Sequence, residues 1–331
     1  MKLYIIGNGF YRHHKLKTGY LDYRRYLDAH YHDVLSEFED FPYLSMYGSK
    51  INDLWSDLEE ALTIDYMECI DSAVRDDNYP DLNNESDARW YEIEGELDIQ
   101  TRFIYKFTGE YLYEWLSSID FTKCIPDLQL ETNALYVTFN YTDTLERIYK
   151  IPSEQILHIH GRLVNVNPNN FLSDTFYIPA FSIQEAEVTE PIPLYPLNND
   201  NVHKEIQFGS TNNDSEKIKK ALEHQYGNDD FYGASIELGV NKIVGYCDAS
   251  SKNLKQNYPV LNNFISNQHV DEIIIMGHSY EGIDSDYYKD ILIPRFRNCL
   301  WTIYIHPPGD IEKVNTFISR YNLQNINLIE W

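Results

Sequence analysis

Short apolar runs dense in Val, Ile, Leu and Tyr recur along the chain, and each stops abruptly at glycine or polar residues. Residues 2–6 (KLYII) end at Gly7-Asn8-Gly9, which reads as a strand entering a tight turn. Residues 135–139, 155–160 and 272–276 have the same character, and 301–305 and 326–329 are further strand candidates. Elsewhere the period changes. Ile51, Leu54, Trp55, Leu58 and Leu62 recur at helical spacing within 51–70, as do Ile104, Phe107, Tyr111 and Trp115. Continuous apolar strands separated by helical stretches predict an α/β fold, with a mostly parallel sheet covered on both faces. The pattern predicts one domain over 1–331, with 30–125 a large, mainly helical insertion that carries an acidic, Asn-rich surface loop at 75–87. Residues 170–235 are broken by prolines and predict an irregular insertion, in which 210–217 (STNNDSEK) reads as loop.

Composition narrows the partners. The chain has 331 residues, 43% hydrophobic and 24% charged, which suits a substantial globular core. Its formal charge of −25 repels phosphate backbones and anionic lipid, so neither nucleic acid nor a membrane is an expected partner. Cys69, Cys124, Cys247 and Cys299 lie far apart, with no C-x-x-C pair, and read as reduced thiols. The N-terminal apolar run is too short for a signal peptide, and no stretch approaches the roughly 18 apolar residues of a membrane span. A cytoplasmic protein is expected.

In open parallel sheets, ligands bind beyond the carboxyl ends of the strands. Four predicted strand ends carry unusual residues: 7–10 (GNGF), 140–143 (NYTD), 160–161 (HG) and 277–286 (GHSYEGIDSD). Gly7-Asn8-Gly9 resembles the start of a phosphate-binding turn, although Arg12 stands at the third glycine position and a plain β–α turn needs the same glycines. His158 and His160 would share one face of a strand, either as a metal pair or with His158 packed and His160 presented at the strand end. No further ligand set accompanies them, and no metal is expected. Asn140 is either a helix cap or a polar group at the crevice, while Glu146 and Arg147 read as a solvated helix face. Gly277-His278-Ser279 invites comparison with a nucleophile elbow, but Glu281 occupies the closing glycine position. A glycine and a hydroxyl there could equally hold a phosphate or ribose oxygen.

The blocks 5–23, 55–62 (WSDLEEAL), 139–149 (FNYTDTLERIY), 158–161 (HIHG) and 275–288 (IMGHSYEGIDSDYY), taken in order, resemble the AbiH-type bacteriophage abortive-infection family over nearly the whole chain. That family is itself similar to the sirtuin-like, DHS-like NAD-binding superfamily. The resemblance implies a Rossmann-like fold and an antiphage effector that hydrolyses NAD to nicotinamide and ADP-ribose. It implies catalytic roles for Asn140 and His160. Gly7, Asn8, Gly9 and Phe10 would form the turn facing the pyrophosphate, with Tyr141 and Gly161 beside the catalytic pair. Gly277, Ser279, Asp284 and Asp286 would form a late nucleotide-binding loop. NAD or a related nucleotide is the implied partner, together with a phage-derived trigger and a homo-oligomer assembled or sensed through the helical insertion. The alternatives are a non-catalytic NAD or ADP-ribose sensor and a serine hydrolase using Ser279. One departure stands out: the family usually shows Asp after GNGF, where this chain has Tyr11.

Overall fold

Six strands hydrogen-bond into one all-parallel sheet in the computed structural model, which describes residues 1–44, 50–74, 83–84, 86–122, 124–163, 206–226, 233–266 and 268–331. They are β1 (Lys2–Ile6), β2 (Leu135–Thr138), β3 (Ile156–His158), β4 (Glu272–Met276), β5 (Leu300–Ile305) and β6 (Ile326–Glu330), in the order β3-β2-β1-β4-β5-β6. All six match apolar runs of the sequence. The central strands are apolar at nearly every position because both sides are covered: β2 is buried throughout, and β1 and β4 at four of five residues.

Alternate residues serve two separate cores. Tyr4, Ile6, Tyr136, Ile274 and Met276 point into a large aromatic core shared with the helical insertion and the helices Ser215–Tyr226 and Gly233–Ala249. Leu3, Ile5, Val137, Ile273, Ile275 and Ile303 point the other way, against the helices Leu254–Ser266 and Ile311–Tyr321. From β1 the chain runs outward to β2 and β3, then returns to the far side of β1 for β4, β5 and β6. The direction of winding therefore reverses between β1 and β4, and in open parallel sheets it is beyond the carboxyl ends at such a reversal that ligands bind.

The predicted insertion between β1 and β2 is helical, but the expected helix over 51–70 is three shorter ones: Ile51–Ser56, Leu58–Ala61 and Tyr66–Ala73. Asp57 breaks it first, with φ −137° and ψ 65°, and the Ile64 bridge to Leu44 interrupts it again. Ile104, Phe107, Tyr111 and Trp115 are all buried, as their spacing requires, along a helical stretch that widens to a π-turn over Lys106–Glu110. Of the loop predicted at 75–87, most lies outside the described residues, and so do residues 170–205 and 227–232 of the insertion predicted to be irregular. The later part of that insertion differs from expectation. Residues 215–226 form a three-turn helix that buries Ile218 and Leu222, so only 210–214 of the predicted loop is loop. Among the described residues, no helix is long and apolar enough to cross a membrane.

Candidate functional site

The four strand ends singled out in the sequence meet beyond β1, β2, β3 and β4. Two glycine turns form the floor. Gly7 N–H donates to Met276 O (3.0 Å) and Gly9 N–H to Gly277 O (2.7 Å), so the turns after β1 and β4 lie backbone on backbone. Side chains would not fit: a Cβ on Gly7 would come 2.4 Å from His278 Cα, and one on Gly277, at φ +63°, 2.1 Å from the Phe10 nitrogen. The glycines thus serve the contact between the turns, and the N–H groups of Gly7, Gly9 and Phe10 are spent inside the protein, on Met276, Gly277 and Gly7 respectively. Phe10 departs further from expectation. It is fully buried against His14, Tyr149 and Trp331 in the large core rather than lining the crevice.

Asn140 and Asn8 join the ends of β2 and β1. Asn140 Nδ2 donates to Asn8 Oδ1 (3.3 Å), and Thr18 holds Asn8 from the other side through its hydroxyl (2.5 Å) and its carbonyl (2.9 Å). Asn140 is not the cap of the following helix, Thr144–Tyr149, whose cap position is Asp143. Tyr11 is fully buried, and its hydroxyl meets Thr138 Oγ1 at 2.8 Å, the same oxygen that accepts from the Asn140 N–H (3.2 Å). Burial raises its pKa above the usual phenol value.

His158 and His160 do not act as a pair. Strand pairing stops at His158, and Gly161 N–H closes a turn onto His158 O (3.1 Å) with Gly161 at φ +85°, which places His160 off the strand. His158 lies 2.9 Å from Glu146 Oε1, which also accepts from Arg162 (2.9 Å). Glu146 is therefore a half-buried, doubly paired residue and not a freely solvated one. Burial opposes its charge, but His158 and Arg162 hold its carboxyl below the usual range. Arg147 does sit on the exposed side, paired with Asp143 and laid over the Phe121 ring.

His160 turns instead toward the loop after β4. Its Nε2 lies 3.0 Å from Asp284 Oδ1, and its ring packs edge-on against Phe139 and Tyr287. Asp284 is the centre of the site: His278 Nε2 stands 3.7 Å from its other oxygen, and Lys252 Nζ 3.3 Å from Oδ1. Lys252 also pairs with Glu59 (2.7 Å), whose second oxygen accepts from the Tyr141 hydroxyl (2.7 Å). Burial works against the Asp284 charge, yet Lys252 and then His160 hold its carboxyl well below the usual range. Glu59 moves the opposite way, raised by burial and by the charge of Asp284 against the pull of Lys252. Burial disfavours the Lys252 ammonium, but Asp284 and Glu59 outweigh it and raise its pKa.

The remaining predicted residues divide. Tyr141 belongs to this cluster through Glu59 rather than to the crevice wall. Ser279 is exposed, and its hydroxyl bonds to Glu281 O (3.2 Å). The neighbouring His278 is engaged by Tyr288 (2.8 Å) and faces Asp284, so no Ser–His pair forms there. Asp286 lies toward Tyr258, whose pKa is raised by burial, Asp290 and Asp286. Glu59 and Lys252 were given no role in the sequence, and together with Asp284 they form the buried charge cluster here. Among the described residues, no group of three or more His, Cys, Asp or Glu could hold a metal ion.

A family model described as bacteriophage abortive infection AbiH matches residues 3–305. The chain belongs to that family. No curated protein and no solved structure matches it. The match spans β1 to β5, so the glycine turns, Asn140, His160, Lys252 and Asp284 all lie within the AbiH region.

Proposed function

We propose that this AbiH chain is a cytoplasmic antiphage effector that cleaves the nicotinamide–ribose bond of NAD when triggered. Water and NAD give nicotinamide, ADP-ribose and a proton. The leaving group is a pyridinium that departs neutral, so the carboxylic acid that ordinary glycosidases use to protonate a leaving oxygen is not required. What the reaction needs is a base for the water and a polar group to orient it. His160 takes the water's proton, and Asn140 orients the water or the carboxamide through its amide. The observation that supports the reading is that Asn140 and His160 each stand two residues beyond the paired ends, Thr138 and His158, of the adjacent strands β2 and β3. Asn140 is tied there to the turn after β1 and His160 to the loop after β4. The strand order is also that of doubly wound sheets that bind dinucleotides at the reversal point. In this reading NAD lies over the packed glycine turns, where the Gly7, Gly9 and Phe10 amides are engaged below, with Asp284 beneath His160.

A second reading has one observation in its favour. Asn140 is only 7% exposed and His160 1%, and Gln207 N–H donates to the His160 carbonyl (2.8 Å) from the segment that passes beside it. A covered site suits a sensor that binds NAD or ADP-ribose without cleaving it. It equally suits an effector at rest, with the helical insertion serving assembly or sensing and a phage-derived trigger uncovering the site. Incubating the purified chain with NAD, with and without phage lysate, separates them. Release of free nicotinamide supports the effector, whereas saturable NAD binding with no nicotinamide released supports the sensor.

A further inference from the structure

The geometry points to Lys252 and Glu59 as a positioning pair: the buried ammonium fixes the Asp284 carboxylate against His160 and so sets which imidazole nitrogen carries the proton. The inference rests on the reading of His160 as the base in NAD cleavage. Lys252 Nζ and His160 Nε2 share one oxygen, Asp284 Oδ1, at 3.3 and 3.0 Å. The Lys252 side chain is 1% exposed, so its charge is tolerable only between partners, and Glu59 at 2.7 Å supplies the second.

Both members of the pair are anchored by parts of the chain remote from β3. Glu59 stands on the short helix Leu58–Ala61 of the insertion and is gripped by Tyr141. Lys252 follows the parallel bridge between Ser210 and Ser251, where its N–H donates to Ser210 O (3.2 Å). That bridge needs Gly209: at φ +144°, a Cβ there would stand 1.9 Å from Ser250 O. The helical insertion and the segment 206–213 therefore converge on the carboxylate behind His160.

An ionised carboxylate only accepts hydrogen bonds, so His160 donates from Nε2 and its basic nitrogen is Nδ1. Among the described residues, the titratable groups around His160 are Asp284 in contact, then Lys252, Glu59 and His278 around that carboxylate, with Tyr141 bonded to Glu59, Tyr20 beside it and Tyr287 against the ring. With His160 neutral, two carboxylates face one ammonium. Removing the ammonium leaves the imidazole among uncompensated negative charge, and removing Glu59 does the reverse.

The test is imidazole 15N NMR on the full chain, with the His160 signals assigned from a His160→Gln variant. In wild type the Nε2–H tautomer is expected. Lys252→Met is expected to raise the pH at which His160 becomes imidazolium by about one unit or more, and Glu59→Gln to lower it, while Lys252→Arg stays near wild type. A purely structural pair would alter thermal stability and leave the tautomer and titration of His160 where they were, which overturns the inference. Should Lys252→Met fail to fold, an unmoved titration in Glu59→Gln overturns it alone. NAD cleavage is followed in parallel. Its absence from wild type with phage lysate present defeats the proposed function and leaves the His160 spectrum to judge the pair.

Discussion

Gly277→Ala strikes the joint on which the site is built, and its cost can be worked from the structure. At φ +63° an L-residue pays about 1 kcal/mol for the left-handed backbone. The new Cβ would also lie 2.1 Å from the Phe10 nitrogen and 2.4 Å from the Gly9 carbonyl carbon, more than an ångström inside ordinary contact. Both neighbours are backbone and cannot swing aside, so the two turns must part. Parting them strains the hydrogen bonds Gly7 N–H to Met276 O and Gly9 N–H to Gly277 O, about 1 kcal/mol each. The expected loss is about 3 kcal/mol, read as a lower urea midpoint at unchanged slope. Gly95→Ala is the control. It lies inside the helix Glu92–Thr101 with nothing within 4 Å of the added carbon, and should gain about 0.5 kcal/mol. A Gly277→Ala chain as stable as wild type would refute the claim that these glycines exist for the turn-on-turn contact.

Asp284→Asn should cost about 3 kcal/mol at pH 7, because Lys252 and His160 each lose a buried partner. The folded carboxyl of Asp284 has a depressed pKa, so its contribution is present above the unfolded value of about 3.9 and is lost as the pH falls toward the lower folded value. Stability of the variant measured from pH 7 to pH 2 should accordingly fall less than that of wild type, and parallel curves would contradict the assignment. Ser279→Ala should leave both stability and any nicotinamide release within a factor of two, since the exposed hydroxyl bonds only locally to Glu281. Labelling of wild-type Ser279 by a fluorophosphonate would restore the serine-hydrolase alternative.

The sheet was legible because a strand covered on both faces is apolar at successive positions, as β1, β2, β4 and most of β5 are, while the edge strands β3 and β6 are shorter or more exposed runs of the same residue types. The ends of those runs were legible too: hydrogen bonds link 7–9 to 276–277, Asn8 to Asn140, and His160 to Asp284. What the sequence hid is the charge that organises them. Glu59 sits among Asp57 and Glu60, and Lys252 between polar neighbours, so each looks like a solvated side chain. Their burial depends on pairing across 193 residues, which leaves no local periodicity. Glu146 was misread for the same reason, its partners His158 and Arg162 lying on another segment. Phe10 and the Gly7 and Gly9 amides were assigned to a ligand because a turn that packs on another turn and a turn that cradles phosphate require the same glycines.

The central claim is that the Asn140 amide and the His160 imidazole flank the glycosidic carbon of NAD. Its most direct test is nicotinamide release by wild type, Asn140→Ala and His160→Ala, compared under triggering conditions with circular dichroism confirming the fold. The account predicts release by wild type and a loss of at least about a hundredfold in each variant. Equal release from all three chains would contradict it.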